Sequence, residues 1–135
     1  VELFLVGTLV NMVLVLAVAV TQRGAAAVIG LVLPLTAFFQ GHLAVFPMVP
    51  VIGLGNMLFA WLAGRFLSHR LVWGIPVLKM GVLYGGALLV ARLAALPPKA
   101  AAMLGFMMGW PQLVTGLAGI LLARLLVARL QFKKI

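Results

Sequence analysis

Apolar residues occur in this chain as long, unbroken runs that are separated by short polar or basic segments. A helix needs about 20 apolar residues to cross a bilayer, and most of the runs approach or exceed that length. Because the runs are continuous and do not alternate with polar residues, they differ from the strands of a membrane barrel. The pattern predicts an all-α integral membrane protein, a bundle of about five transmembrane helices that forms a single domain over residues 1–135. The predicted helices cover residues 3–20, 25–39, 44–67, 71–96 and 100–130.

Prolines mark the starts of some runs and interrupt others. Pro47 and Pro50 fall in the first turns of the third predicted helix, where a missing N–H matters least. Pro34 lies inside the second run and Pro111 inside the fifth. Pro111 frees a backbone carbonyl, and one accepted reason for such a break at membrane depth is that it lines a cavity. The alternative is a simple kink, with Trp110 as an interfacial anchor.

The composition supports a bilayer as the solvent of this chain. Of its 135 residues, 66% are hydrophobic and 8% are charged, which is more apolar surface than a soluble domain of this length can bury. The formal net charge is +9, and Glu2 is the only acidic residue. The basic residues lie between and after the apolar runs and are not interleaved with aromatic residues. They therefore fit the positive-inside rule, and we do not expect nucleic-acid binding.

The distribution of lysine and arginine predicts the orientation, because cytoplasmic loops carry an excess of both. With five helices, the side that is richer in basic residues holds the C-terminus, which we therefore expect in the cytoplasm, with the N-terminus outside. The loops around residues 40–46 and 96–99 then face outward. The richer side holds seven basic residues, Arg23, Arg65, Arg70, Arg124, Arg129, Lys133 and Lys134, and the other side holds Arg92 and Lys99.

The sequence lacks most of the side chains on which enzymes depend. It contains no Asp and no Cys, and Ser68 is its only serine, so a Ser/His/Asp triad, paired carboxylates and a cysteine nucleophile are excluded. No phosphate-binding glycine loop is present. His42 and His69 are far apart in sequence and have no further ligand types nearby, so we expect no metal site. We expect a protein that is not an enzyme and that uses no cofactor.

Small residues recur in pairs at four-residue spacing. Such pairs let helix backbones approach closely in lipid. We expect them to pack the helices of this chain against one another, and the alternative is contact with another membrane subunit. The pairs are Ala60/Gly64, Gly81/Gly85, Ala87/Ala91, Gly105/Gly109 and Thr115/Gly119.

Few polar residues fall inside the apolar runs, where they are costly to place and are candidates for function. Asn56 follows Gly53 and Gly55, which leave room for a ligand or for a neighbouring backbone; the alternative role of Asn56 is a hydrogen bond that holds helices together. Lys79 is the one charge placed well inside a run. We expect Lys79 to snorkel to the cytoplasmic surface, and the alternative is that it meets an anionic ligand or an acid of a partner subunit. The presence of Gln112 next to Pro111 favours the interpretation that this break lines a cavity, because Gln112 would otherwise face lipid or apolar side chains.

Two segments of the chain carry a family resemblance. In the first, a helix with spaced glycines and a proline leads through a short loop to a Phe-Pro-Met-x-Pro motif, and then to a helix of small residues that ends in a basic loop. The second is a Trp-Pro-Gln opening of the last helix. Together they cover most of the chain and resemble the substrate-binding S component of an energy-coupling factor (ECF) transporter. The matching residues are Gly24, Gly30, Pro34, Phe46-Pro47-Met48-Val49-Pro50, Ala60 to Arg65, and Trp110-Pro111-Gln112-Leu113-Val114-Thr115-Gly116 through Arg124.

The resemblance implies a plasma-membrane protein that captures a vitamin, a vitamin precursor or another small metabolite. Its partners would be the lipid bilayer, a membrane coupling subunit and a pair of ATPases, which would hydrolyse ATP and drive uptake. The substrate would lie near the outer face, under the loops and between the later helices. The substrate-binding residues that we predict on this basis are Gln40, His42, Asn56, Tyr84, Trp110, Gln112 and Lys79.

The chain departs from the family in two ways. The family has six helices, so a count of five implies that the first, which carries small-residue motifs for docking the coupling subunit, is missing here. Relatives often place a glutamate in the helix after the Phe-Pro-Met-x-Pro motif, where this chain has Gly55-Asn56. The contact that this acid makes with substrate is therefore not carried over.

Two other functions remain open at this point. A small membrane scaffold or assembly subunit would show ordinary helix packing without a cavity. An oligomeric facilitator or channel would need a stripe of polar residues along each helix, and the polar positions here are too sparse to line a continuous pore.

Overall fold

The chain folds into helices throughout the part that the structure describes, residues 2–40, 46–66 and 69–130 of a computed structural model. These residues contain no strand, which confirms the all-α prediction. A short 3₁₀ helix over Arg70–Gly74 leads into the fourth α-helix. The six α-helices are α1 Glu2–Val20, α2 Arg23–Phe39, α3 Met48–Phe66, α4 Ile75–Leu93, α5 Pro98–Met107 and α6 Trp110–Leu130.

The last predicted helix is in fact two helices, so the expectation of one continuous helix over 100–130 is wrong. Helix α5 ends at Met107 and α6 begins at Trp110. Pro111 has no N–H to donate to the carbonyl four residues earlier, which belongs to Met107, and its ring crowds that carbonyl. The side-chain amide of Gln112 replaces the missing donor, because its Nε2 lies 3.0 Å from the Met107 carbonyl oxygen. The break is therefore a capped junction between two helices and not a simple kink.

Three helical segments of the described residues are long and apolar enough to cross a membrane: Met48–Phe66, Arg70–Leu93, which joins the 3₁₀ helix to α4, and Pro98–Arg129, which takes α5 and α6 together. Two shorter apolar helices cover Phe4–Val20 and Gly24–Phe39. Many large apolar side chains in the described residues lie on the outside of the bundle, and soluble monomers rarely expose such continuous apolar surface. This surface is compatible with a membrane protein.

Two apolar clusters lie at opposite ends of the bundle. One contains buried residues from the second halves of α1, α3 and α6, with Phe59 and Leu14 fully buried among them. The other joins the start of α3, the second half of α4 and the end of α5, around Met48, Leu83 and Met108. The most extensive helix pairs are α2 with α3 and α1 with α6.

Helices α1 and α6 approach closely because glycines lie at their contact. A Cβ atom on Gly119 would lie 2.6 Å from the Cβ of Asn11 and 2.9 Å from the backbone nitrogen of Met12. One on Gly7 would lie 3.0 Å from Thr115. The pair Thr115/Gly119 therefore packs this chain's own bundle, as its spacing predicts.

Other small residues behave differently. Ala60 and Ala87 are buried in the bundle. In contrast, a Cβ on Gly81, Gly85 or Gly105 would meet no described atom within 4 Å. The expectation that these three glycines pack helices of this chain is therefore wrong.

We predict that Gly119→Ala destabilises the protein by about 1–3 kcal/mol, because the added methyl group would overlap the backbone of α1. Gly85→Ala is the matched control: the same helix-propensity gain, up to about 1 kcal/mol, applies there, and the methyl group meets open space. The midpoint of thermal unfolding in a mild detergent measures both. Equal midpoints for the two variants would contradict the close packing of α1 on α6.

Candidate functional site

A cavity of about 620 Å³ lies between the helices, within the usual range of about 300–1,000 Å³ for small-molecule sites. Every one of the six described α-helices reaches it, with Met107 contributing at the end of α5. Of the sixteen described residues that line it, ten are apolar. The polar six are Asn11, Thr36, Gln40, Asn56, Lys79 and Gln112.

The ammonium group of Lys79 is held inside the bundle. Its Nζ donates a hydrogen bond to Oδ1 of Asn11 at 2.6 Å, and the side chain is only 3% exposed. The same Nζ lies 5.0 Å from the centre of the Phe59 ring, within the range of a cation–π contact. The expectation that Lys79 snorkels to the cytoplasmic surface is therefore wrong. A polar acceptor and an aromatic face, both on other helices, draw its side chain inward.

Asn11 extends this contact to α6. Its Nδ2 lies 3.4 Å from Oγ1 of Thr115, and the Thr115 hydroxyl donates to the Gln112 carbonyl at 3.3 Å. Both side chains are almost completely buried. A buried amide needs partners for its donor and its acceptor, and Asn11 finds one on α6 and the other on α4. A polar relay therefore connects α4, α1 and α6 along one side of the cavity.

The amide of Asn56 faces the cavity without a protein partner. The residue is 3% exposed and lines the cavity, yet no hydrogen bond joins its side chain to any residue in the described ranges. Its donor and acceptor are therefore available to a bound molecule. The neighbouring glycines serve helix packing, because a Cβ on Gly53 would meet Leu31 at 3.0 Å and one on Gly55 would meet Leu83 at 2.9 Å.

The remaining polar lining residues lie towards one end of the bundle. Thr36 and Gln40 are at the end of α2, and Gln112 is in the first turn of α6. The Thr36 hydroxyl donates to the Leu33 carbonyl at 2.7 Å, so its oxygen can still accept a hydrogen bond. The lining thus combines amides, a hydroxyl and one ammonium group, which can bind and orient a small polar molecule.

The structure brings four of the predicted substrate-binding residues to this cavity: Gln40, Asn56, Lys79 and Gln112. Their role in binding stays a prediction. Two others lie elsewhere, since neither Tyr84 nor Trp110 lines the cavity.

The reasons for those two placements differ. Tyr84 is 39% exposed, on the side of α4 that faces away from the bundle. Trp110 is 55% exposed and packs its ring against Phe4 and Phe106, with ring centres 5.6 and 5.7 Å away. His42 lies outside the described residues.

Asn11 and Thr36 are cavity residues that the sequence-based selection of the site omits. Asn11 is the only strongly polar residue of the first apolar run, and a buried amide in such a run is costly unless it is paired. That signal could have pointed to Asn11 together with Lys79. Thr36 gives no comparable signal, because a helical threonine can satisfy its hydroxyl within its own helix.

Metal ligands do not cluster in the described part of the chain: no group of three His, Cys, Asp or Glu residues lies close enough there to hold a metal ion. No known protein-family model matches the chain, and no curated protein or solved structure is significantly similar to it.

We predict that Asn11→Leu destabilises the protein by about 3–5 kcal/mol, because it leaves the ammonium of Lys79 buried without its acceptor. Adding Lys79→Met to the same protein removes the unpaired charge, so we expect the double variant to be destabilised by about 0.5–3 kcal/mol less than the sum of the two single substitutions. The free energies of unfolding of the two single variants and the double variant, measured in one detergent, give the coupling energy between positions 11 and 79. If the effects of the single substitutions simply add, Asn11 does not hold Lys79.

Proposed function

We propose that this chain is the membrane-embedded, substrate-binding subunit of an ECF-type importer. In this role it captures a vitamin or another small metabolite at the outer face of the cell membrane, and partner subunits use ATP to drive uptake. The observation that carries the proposal is the cavity, which all six α-helices wall and which contains an unpartnered amide, Asn56, and a buried ammonium, Lys79. Buried polar groups of this kind inside a membrane bundle are expensive and mark ligand sites.

The cavity favours a binding subunit over the two alternatives. A scaffold or assembly subunit needs only packed helices, and it gives no reason for Asn56 to face a cavity without a described protein partner. A facilitator or channel needs a continuous polar path, whereas the described polar lining ends at Lys79 and Asn11, next to the apolar cluster around Phe59 and Leu14. The lining suits a molecule that is held, not one that passes straight through.

The segments that resemble S components contribute to the cavity. Pro34 of the first segment lines it. A Cβ on Gly30 would lie 3.0 Å from the backbone of Asn56, so that glycine lets α2 lie against α3 where the site forms. Gln112 of the second segment lines the cavity and caps the helix break. This placement supports the resemblance as the basis of the proposal.

Charge supports the proposed orientation. Thr36, Gln40 and Gln112 lie at the end of the bundle opposite the basic residues Arg65 and Arg70. If the basic end faces the cytoplasm, the chain crosses the plasma membrane several times, its C-terminus is cytoplasmic and the cavity lies in the outer half. A substrate-binding subunit of an importer requires this arrangement.

We expect a membrane coupling subunit and a pair of ATPases to co-purify with the full-length protein from its native membrane in mild detergent. The chain itself contains no phosphate-binding loop, so the energy for uptake has to come from such partners. Mass spectrometry of the co-purifying proteins checks this expectation. Recovery of the chain alone, or with an unrelated complex, would contradict the importer and favour a scaffold or a stand-alone carrier.

We expect a cysteine at position 46 to react with an impermeant thiol reagent added outside intact cells, and one at position 69 to react only after the membrane is opened. The natural sequence has no cysteine, so Phe46→Cys and His69→Cys each introduce a single thiol. Both positions are exposed and lie in opposite connections of the bundle. The reverse labelling pattern would overturn the orientation.

A further inference from the structure

We propose that the cavity accepts a molecule with a single negative charge on an otherwise apolar body, and that Lys79 neutralises this charge. The inference rests on the proposed binding function and deepens it by naming the chemical class of the bound molecule. It does not depend on the identity of the transport partners.

The contacts of Lys79 leave its positive charge without a counter-charge. A lysine ammonium has three donors and no acceptor. One donor is used on the neutral amide oxygen of Asn11, and the aromatic face of Phe59 is the other contact. An amide oxygen and a ring stabilise a cation without cancelling its charge. A buried charge that lacks a counter-ion is costly, so the site is built to receive an anion.

No carboxylate among the described side chains supplies that anion. Glu2 is the only acidic residue of the chain, and α1 separates the backbone of Glu2 from that of Asn11 by about 13.5 Å along the helix axis. An acid of a partner subunit is also a poor candidate. Because Lys79 is 3% exposed and lies among the helices of this chain, such an acid would have to enter the cavity to reach it. A small molecule in the cavity reaches the ammonium without displacing any helix.

The rest of the lining defines the body that carries the charge. Lys79 is the only charged residue among the sixteen described residues that line the cavity, and these residues offer no partner for a second negative charge on the bound molecule. Ten lining residues are apolar and suit a hydrocarbon or ring body. Asn56 keeps a free donor and acceptor, which fits one neutral polar group on that body.

A matched pair of probes tests the inference. We suggest 4-phenylbutyrate and 4-phenylbutyramide, which share an apolar body and differ in the charge of the head group. Equilibrium binding is measured on the full chain in discs of uncharged phospholipid, for the wild type and three variants. Lys79→Met removes the cation. Asn11→Asp places a carboxylate against Lys79 and neutralises it within the chain. Lys99→Met is the matched control, because Lys99 is exposed and lies outside the cavity.

We expect the wild type to bind the carboxylate at least about tenfold more tightly than the amide, because charge-assisted hydrogen bonds are the stronger ones. This preference should disappear in Lys79→Met and in Asn11→Asp and persist in Lys99→Met. Equal binding of the two probes by the wild type, or binding of neither, would overturn the inference. The proposed function would be unaffected by either result, because the co-purification of coupling subunits tests it separately.

A further binding experiment, with an anionic lipid in the discs, identifies the source of the anion. Both a free carboxylate and an anionic lipid carry one charge on an apolar body. Discs that contain phosphatidylglycerol should leave binding of 4-phenylbutyrate unchanged if the cavity receives a free molecule. Competition by the anionic lipid, lost in Lys79→Met, would identify the bilayer as the source of the same charge.

Discussion

The hydrogen bond from Lys79 to Asn11 is the interaction on which the rest of this bundle depends. A lysine ammonium inside an apolar bundle must find a polar partner or reach water, and the described residues offer it an amide oxygen at 2.6 Å. Asn11 can serve because its own Nδ2 is directed to Thr115. These contacts connect α1 to both α4 and α6. They also hold the ammonium group of Lys79 and the amide of Asn11 together in the wall of the cavity.

Close helix approach and a helix break together create the space beside this relay. Gly7 and Gly119 let α1 lie against α6, which brings Asn11 near Thr115. Elsewhere in the cavity wall, helix is interrupted at Met108 and Gly109, between α5 and α6, where the Pro111 ring prevents continuous hydrogen bonding. Gln112 satisfies the freed carbonyl and still lines the cavity. A bundle of uninterrupted helices with alanine at these glycines would keep α1 and α6 further apart and would separate the polar groups.

The sequence predicted the helices better than it predicted their contacts. Apolar runs indicate where helices exist, and Pro111 signals a possible irregularity, but the sequence does not show that the Gln112 side chain caps the Met107 carbonyl at a break between two helices. Lys79 shows the same limit. Its distance from the helix end favours snorkelling, and the partner that reverses this outcome is 68 positions away on another helix. Tyr84 and Trp110 are exposed on the outside of the bundle. Their orientation is decided by how the helices pack and cannot be read from the local sequence.

The hydrogen bonds of Lys79 and Asn11 also affect how an anionic molecule would bind in the cavity. Asn11 holds the ammonium at the cavity wall, so Lys79 would not have to move into place or lose a contact when an anion arrives. Binding then adds a charge pair without breaking the hydrogen bond between α4 and α1. A carboxylate fixed in the chain at this position would do the opposite, because it would neutralise Lys79 permanently and leave the bound molecule no charge to meet. The neutral amide of Asn11 therefore holds the ammonium in position while leaving its charge available to whatever enters the cavity.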